Sequence, residues 1–431
     1  MLSKMKLWFI NQKNLLKMFR FVILTIILLL ITWGLDHRYT WIKAYIPKQL
    51  LLTSEVSINF LSNISGVFLT ISIFCFTTIV TVLNKYSSTV SPRMLQNFID
   101  KTGVLSLYGI FVSGFFYSII SILLLQDFAD GQYVVAGSFG IVYSIITMIG
   151  FIVFSKQVLE NIKISNIIEG LNSDCEKLVE KEVELRKKAK RYDDNIATLE
   201  IPLFAKDTGY LFKIQSDDII KELKGIKSEV IITRRLGEYV TEGEEVGFLK
   251  IFDLSKIDKE KRESLVDEIT NLIIINIYKN SREDYHNQIM NLTEVANMAL
   301  SPGTNDPNTA VICINKISTL LGKLMSTANM FVILEENDNT KIVYKGYSVE
   351  DELYLVFSQL MKYSNGDPMV TRAILQGIYM IYMMAYRNAK PSIKKFFDSA
   401  YEILVSNFDH KMHLSKFEDI KNNLEKHSMV Y

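Results

Sequence analysis

Cysteine is scarce in this chain: the three present, Cys75, Cys175 and Cys313, lie far apart in sequence. They build neither a disulfide framework nor a cluster of thiolate ligands. Surplus charge is lacking as well. The formal net charge is +1, so no dense field of one sign points to nucleic acid or a strongly charged substrate as a partner. The strings that mark familiar enzyme sites are missing too, with no GxxxxGK[ST], no GxGxxG after a β-prone run, no HExxH and no GxSxG. The five histidines, His37, His286, His410, His413 and His427, are scattered. Asp409, His410 and His413 offer an HxxH pair without a further ligand, which reads as a solvated C-terminal helix rather than a metal site. These absences favour a protein without a catalytic centre, a cofactor or a bound metal.

The absence with the largest consequence is that of charged side chains over long stretches. None occurs between Glu55 and Lys85, between Lys101 and Asp127, or between Asp130 and Lys156. Each gap exceeds the ~20 residues a helix needs to cross the hydrocarbon of a bilayer, so three membrane spans follow directly. A fourth candidate, Phe21 to Leu35, is shorter and spans if Lys17 and Arg20 lay their stems along the apolar layer and keep their charges at the headgroups. It ends in Trp33-Gly34-Leu35-Asp36-His37, without the small-residue cleavage site of a signal peptide. Basic residues precede the first span (Lys4, Lys6, Lys13, Lys17, Arg20), separate the second from the third (Lys85, Arg93, Lys101) and follow the fourth (Lys156, Lys163). Basic loops stay on the cytoplasmic side, which predicts both termini in the cytoplasm.

The second span carries Asn59, Asn63, Gly66, Thr70, Thr77, Thr81 and Asn84 at spacings of three, four or seven, which places them along one stripe of a helix. Two readings stay open. Small and hydroxyl residues glue transmembrane helices together, and Gly109, Ser113 and Ser121 in the third span, with Gly137, Ser144 and Gly150 in the fourth, suit that role. A stripe of this kind also lines a watery path, which makes Asn59, Asn63, Thr70, Thr77 and Thr81 candidate pore-lining residues. No Asp, Glu, Lys, Arg or His lies inside spans two to four, so a proton relay or voltage sensor has nothing to run on there.

The remainder changes character. After a transmembrane domain over 1–155, residues 156–198 read as an amphipathic connecting helix with a seam at Ile164, Ile168, Leu171, Cys175 and Leu178, followed by a charged stretch, Lys181 to Arg191, that reads as a solvated face. Residues 199–257 turn β-prone, with runs at Tyr210–Ile214, Val230–Thr233 and Val246–Ile251 set off by Gly237, Gly243 and Gly247. Residues 258–431 read as mainly helical. Their most distinctive string is ALSPGTNDPNTAV, Ala299 to Val311, placed between a helix ending near Ala299 and another running to about Met325. Asp306-Pro307 is a helix start, because the carboxylate accepts orphan amide protons and proline at the first helical position loses nothing. Asp367-Pro368 repeats the phrase, and between the two, Phe331–Leu334 and Lys341–Tyr344 flank Asn337-Asp338-Asn339 as a hairpin. Ser301, Asn305, Asp306, Asn308 and Thr309 supply enough oxygens for a ligand contact, and a loop that only caps a helix uses the same residue types.

The segment RRLGEYVTEGEEVGFLKI resembles half of a lipoyl- or biotinyl-type sandwich, although no lysine there has the neighbouring methionine of the modified site; an unmodified small β-barrel or sandwich-like insert is the expectation. ALSPGTNDPNTA, the segment KYSSTVSPRMLQNFI from Lys85 to Ile99, and the region from Gly209 to Glu244 together resemble a bacterial membrane family catalogued as a domain of unknown function. The resemblance implies an architecture of four transmembrane α-helices with an α+β cytoplasmic domain, placed in the bacterial inner membrane, and it implies no reaction. Two functions fit: a passive ion or small-solute channel, built as a homo-oligomer because four helices enclose little space, or a non-transporting signalling scaffold or enzyme that uses the NDP loop. The first is favoured, with the lipid bilayer and a small ion or solute as partners and no nucleic acid.

Overall fold

The computed structural model describes residues 13–89, 103–161, 163–188, 198–253, 258–280, 283–327, 331–337, 339–364 and 366–428. It divides into two compact units, one through Ile167 and one from Ile168 to the C-terminus.

The first unit is built from α1 (Lys13–Trp33), α2 (Ser54–Thr89), α3 (Val104–Leu125) and α4 (Ala136–Asn161). Four stretches within it, Arg20–Arg38, Ser54–Lys85, Val104–Leu125 and Ala136–Glu160, are long and apolar enough to cross a membrane. Small residues bring these helices close. A Cβ on Gly140 would lie 2.7 Å from Leu61, and one on Gly114 would lie 2.8 Å from Tyr143 and 3.2 Å from Phe68. Ser113 and Ser121 are buried, so α3 packs through the small face that the sequence offers for it. At one end of the unit, Asp36 is 2% exposed and accepts hydrogen bonds from the amides of Val135 (2.8 Å) and Ala136 (3.1 Å). It thereby caps α4, and Lys43 compensates its charge at 2.8 Å. Beside it, β1 (Leu52–Thr53) and β2 (Tyr133–Val134) form a minimal antiparallel pair. Of the Lys85–Ile99 segment, the residues from Val90 onward lie outside the described part.

The second unit is α+β. Its first element, α5 (Ile164–Lys188), buries Ile168, Leu171, Cys175 and Val179 along the expected seam. Then come β3 (Leu199–Phe204), β4 (Gly209–Ile214), α6 (Ser216–Glu222), β5 (Ser228–Ile232), β6 (Tyr239–Val240), β7 (Glu245–Ile251), α7 (Lys259–Leu272) and β8 (Ile273–Asn276). Helices α8 (Tyr285–Ala299) and α9 (Pro307–Met325) precede the hairpin of β9 (Phe331–Glu336) and β10 (Thr340–Lys345). The chain ends in α10 (Val349–Tyr363), α11 (Pro368–Met384), α12 (Lys390–Val405) and α13 (Lys411–Ser428).

The strands do not close into the expected barrel. They make two open sheets, one of five strands in the order β3-β7-β5-β10-β9 and one of three in the order β6-β4-β8. The reason is that β5 takes β10, from far along the chain, as a parallel neighbour, with Val230 opposite Ile342. The larger sheet therefore grows outward through the distant hairpin. Leu203, Leu211, Val230, Ile232, Leu249, Ile251, Ile269 and Ile342 form one core against these sheets. In the helical part α9 and α11 approach closely, since Gly377 faces Ser318 and a Cβ on Gly322 would lie 2.6 Å from the Met384 sulfur.

Candidate functional site

The stripe on α2 faces away from the first unit. Asn59, Asn63, Gly66, Thr70, Thr77, Thr81 and Asn84 are all exposed, and no atom lies within 4 Å of where a Gly66 Cβ would sit. The opposite face, with Ser57, Leu61, Phe68, Ser72, Cys75 and Val82, is the one buried within the unit. Thr70 and Thr81 donate to the carbonyls of Gly66 and Thr77, both at 2.9 Å, so these hydroxyls are satisfied inside their own helix.

The NDP loop folds as a helix entry. Ser301 donates to the Met298 carbonyl at 2.7 Å, and the Asn305 amide donates back to the Ser301 carbonyl at 2.9 Å. Asn305 has a φ of 48°, a conformation that asparagine tolerates better than most side chains. Asp306 accepts from the Thr309 amide at 3.1 Å through one oxygen and from the Thr309 hydroxyl at 2.6 Å through the other. Both carboxylate oxygens are thus engaged in starting α9. Asn308, like Pro302, Gly303 and Thr304, is exposed. Asp367 does the same work for α11, accepting from the amides of Met369 (2.8 Å) and Val370 (2.9 Å).

The densest gathering of ionisable groups lies elsewhere in the second unit. Past Val179 the seam of α5 continues onto Glu182 and Arg186, which are 5% and 2% exposed, so this part of the Lys181–Arg191 stretch is interior rather than a solvated face. Arg186 meets Glu182 at 2.8 Å, donates to the Tyr285 hydroxyl at 2.8 Å and stands 3.8 Å from Glu352. The Tyr285 hydroxyl in turn donates to Glu352 at 2.6 Å, and Tyr344 donates to the second oxygen of Glu182 at 2.6 Å. His286 presents Nδ1 to Glu352 at 3.5 Å and stacks on Tyr347 with ring centroids 4.1 Å apart. Arg235 lies 4.7 Å from the Tyr347 ring centroid and pairs with Asp351 at 2.7 Å.

Asp284 sits at the start of α8, where it accepts from the Asn287 amide at 3.0 Å. Gly237, at a φ of 77°, comes so close that any Cβ there would collide with the Asp284 carboxylate. Burial pushes the Asp284 carboxyl up to about 6 despite that amide bond and the nearby His286 and Lys279. Burial acts on Glu352 in the same direction, but His286, Arg186 and Tyr285 outweigh it and hold its pKa below the ordinary value. Burial also raises the Tyr285 and Tyr344 hydroxyls well above the usual range, which keeps them as hydrogen-bond donors. Glu182, Asp284, Tyr285, Tyr344 and Tyr347 line a cavity of about 510 Å³, with Lys181, Lys213, Arg235 and Lys345 also on its walls. Among the described residues no group of three or more His, Cys, Asp or Glu side chains is placed to hold a metal ion. What the arrangement offers is binding and proton uptake: a cavity of a size suited to a small molecule, polar groups of both signs, and one carboxyl that titrates near neutrality.

Residues 5–380 match the model of a family described as a predicted membrane protein of unknown function, DUF2254. The chain belongs to that family. Uncharacterised proteins of Mycobacterium bovis and Mycobacterium tuberculosis are each 23% identical to this DUF2254 member over 330 residues, 72% of this chain and 62% of the relative. The chain thus spans less than two thirds of the length of these curated relatives. No solved structure matches it. The family match agrees with the apolar helices of the first unit, and the cavity of the second unit is what the sequence of this DUF2254 member did not announce. One signal was present: the seam spacing from Leu171 through Cys175 and Leu178 leads on to Glu182 and Leu185, placing a carboxylate on the apolar face of α5.

Proposed function

We propose that this DUF2254 protein is a passive conduit for ions or small polar solutes, formed by several copies in the bacterial inner membrane, with both termini in the cytoplasm and the soluble unit controlling opening. The observation that supports it is the outward exposure of the α2 stripe. A face carrying Asn59 and Asn63 beside Gly66, Thr70, Thr77 and Thr81 is poorly suited to lipid hydrocarbon, where an unpaired amide costs several kcal/mol, of order 2–7 by transfer scales. Such a face is better matched by water or by the same stripe of a second copy. A ring of copies with α2 toward its axis satisfies both, and the lack of charged residues between Glu55 and Lys85, between Lys101 and Asp127, and between Asp130 and Lys156 favours passive flow over pumping.

The test is flux through proteoliposomes. Thr77→Leu adds bulk to the stripe without touching the buried face, so ion or solute flux should fall severalfold while the melting temperature and the oligomeric mass in detergent stay as in the wild type. Wild-type protein that runs as a monomer and passes neither ions nor small solutes at any voltage or pH would sink the proposal. A non-transporting signalling protein is the second reading, and the 510 Å³ cavity of the soluble unit is the observation that favours it.

A further inference from the structure

The cavity of the second unit is polar in an uneven way. Its lining includes two buried carboxylates, Glu182 and Asp284, each at most 5% exposed, while Arg186 and Glu352, equally buried, lie outside that lining. Arg186 is shared between Glu182 and Glu352, whereas Asp284 is met by the amides of Asn287 and His286 and by the field of His286 and Lys279. Negative charge therefore prevails on this buried side. Tyr285, Tyr344 and Tyr347 stand beside these carboxylates, with His286 and Arg235 already against the Tyr347 ring and Arg186 against that of Tyr285.

The outer walls carry Lys181, Lys213, Arg235 and Lys345 against Asp217, Asp218 and Glu283, and Asp218 is already paired with Lys221 at 2.8 Å. Lys181 and Lys345 are exposed, and no described residue pairs with either, whereas the Lys213 and Arg235 charges are answered by Glu283 at 2.5 Å and Asp351 at 2.7 Å. Arg235 also keeps a buried Nε without an acceptor. Two uncommitted ammonium groups and an unfilled guanidinium donor at the mouth call for an anion, while the deeper side calls for a cation. A compound with only one charge would leave the other end unpaired, and unpaired buried polar groups weaken binding.

We propose that the cavity binds a small zwitterion of the amino-acid class, with its amine among Asp284, Glu182 and Tyr347 and its carboxylate toward Lys181, Lys345 and Arg235. The volume of about 510 Å³ accommodates such a molecule with its side chain and falls within the usual range of small-ligand sites, roughly 300–1,000 Å³. A ligand here would bring a full positive charge within reach of Glu182 and Asp284. The site is complete within the soluble unit, so binding does not depend on whether the protein conducts.

The experiment measures binding to the full-length chain in detergent by calorimetry and by thermal shift. The probes are the twenty free amino acids at millimolar concentration, with putrescine as a cation-only control and succinate as an anion-only control. At least one amino acid should bind and raise the melting temperature, and neither control should. Lys181→Met combined with Lys345→Met changes two exposed side chains, and should leave the unliganded melting temperature in place while weakening binding at least about tenfold, the loss of one good polar contact. Asp284→Asn, which keeps the helix cap, should weaken it as well. Binding of none of the twenty, equal binding of either control, or binding indifferent to both variants would overturn the assignment. None of these readouts uses flux, so a failure here leaves the conduit proposal standing and the reverse also holds.

Discussion

In the four-helix unit, Thr32, Ser72 and Ser118 turn their buried hydroxyls onto carbonyls of their own helices, and a deeply buried carboxylate, Asp36, sits at a helix end with its lysine beside it. In the second unit, Glu182, Arg186, Tyr285, Glu352 and Tyr344 are joined across α5, α8, β10 and α10, with partners 67 to 162 residues apart. The difference follows from what each environment leaves as an alternative. Among apolar spans the helix itself is the nearest acceptor, and hydroxyls can be satisfied without specifying which helix lies next door. In the second unit a buried ionic network draws most of its members from distant parts of the chain, so forming it depends on the tertiary arrangement.

That comparison is broken most forcefully at Arg186. Replacing it with Met strands Glu182 and Glu352 without their guanidinium, and removing one partner of a buried pair typically costs about 3–5 kcal/mol. Proteolysis of the full chain across a urea series should show the second unit opening at much lower urea. Replacing Arg186, Glu182 and Glu352 together by Met, Leu and Leu should recover much of the loss; a triple variant no better than Arg186→Met would show that the network does more than neutralise itself.

Asp284 sharpens the contrast with Asp36. Its folded-state pKa is raised from 3.8 to about 6, so folding favours the protonated form. The stability tied to it is fully present below about pH 4 and is lost as pH rises through about 6, a change of about 3 kcal/mol. Asp284→Asn keeps the cap and stays neutral. It should therefore melt higher than the wild type at pH 8, with the gap closing as pH falls below 6. A gap that stays constant from pH 8 to pH 4 would show that the charge of Asp284 is not what strains the unit.

The smallest effect is expected at Asp306, where a helix cap rather than a network is at stake. Asp306→Ala should lower stability by about 1 kcal/mol and Asp306→Asn by only a few tenths, since Asn caps about as well as Asp. Loss of flux or ligand binding in Asp306→Asn at an unchanged melting temperature would mark the NDP loop as more than the start of α9.

What could be read from the residues alone were the features that local chemistry decides. The charge-free gaps mark the apolar helices because hydrocarbon admits no charge. Asp306-Pro307 marks the start of α9, and Asn337 and Asn339 flank the turn between β9 and β10, because capping and turn formation act over a few residues. The open sheet was not legible in this way: Gly237, Gly243 and Gly247 suggested a closed repeat, while the parallel partner of β5 lies beyond three intervening helices. The cavity was hidden for a related reason. The seam spacing marks Glu182 as lying on the apolar face of α5, but nothing near Arg186 in sequence names Tyr285, Tyr344 and Glu352 as the partners brought to it.

The parallel pairing of β5 with β10 also bears on how the chain is made. Ser228 and Thr340 are 112 residues apart, so when β5 leaves the ribosome its neighbour has not been synthesised, and one flank of the strand has no hydrogen-bonding mate. Closing so wide a loop is slow, and bare strand flanks invite pairing with other chains. Completion of the sheet must therefore wait until the β9–β10 hairpin emerges, by which time the four apolar helices have long been available for insertion. Biogenesis in this protein thus runs from membrane to sheet, and the cavity, whose walls include Tyr344 and Lys345 of β10, is among the last parts of the molecule to exist.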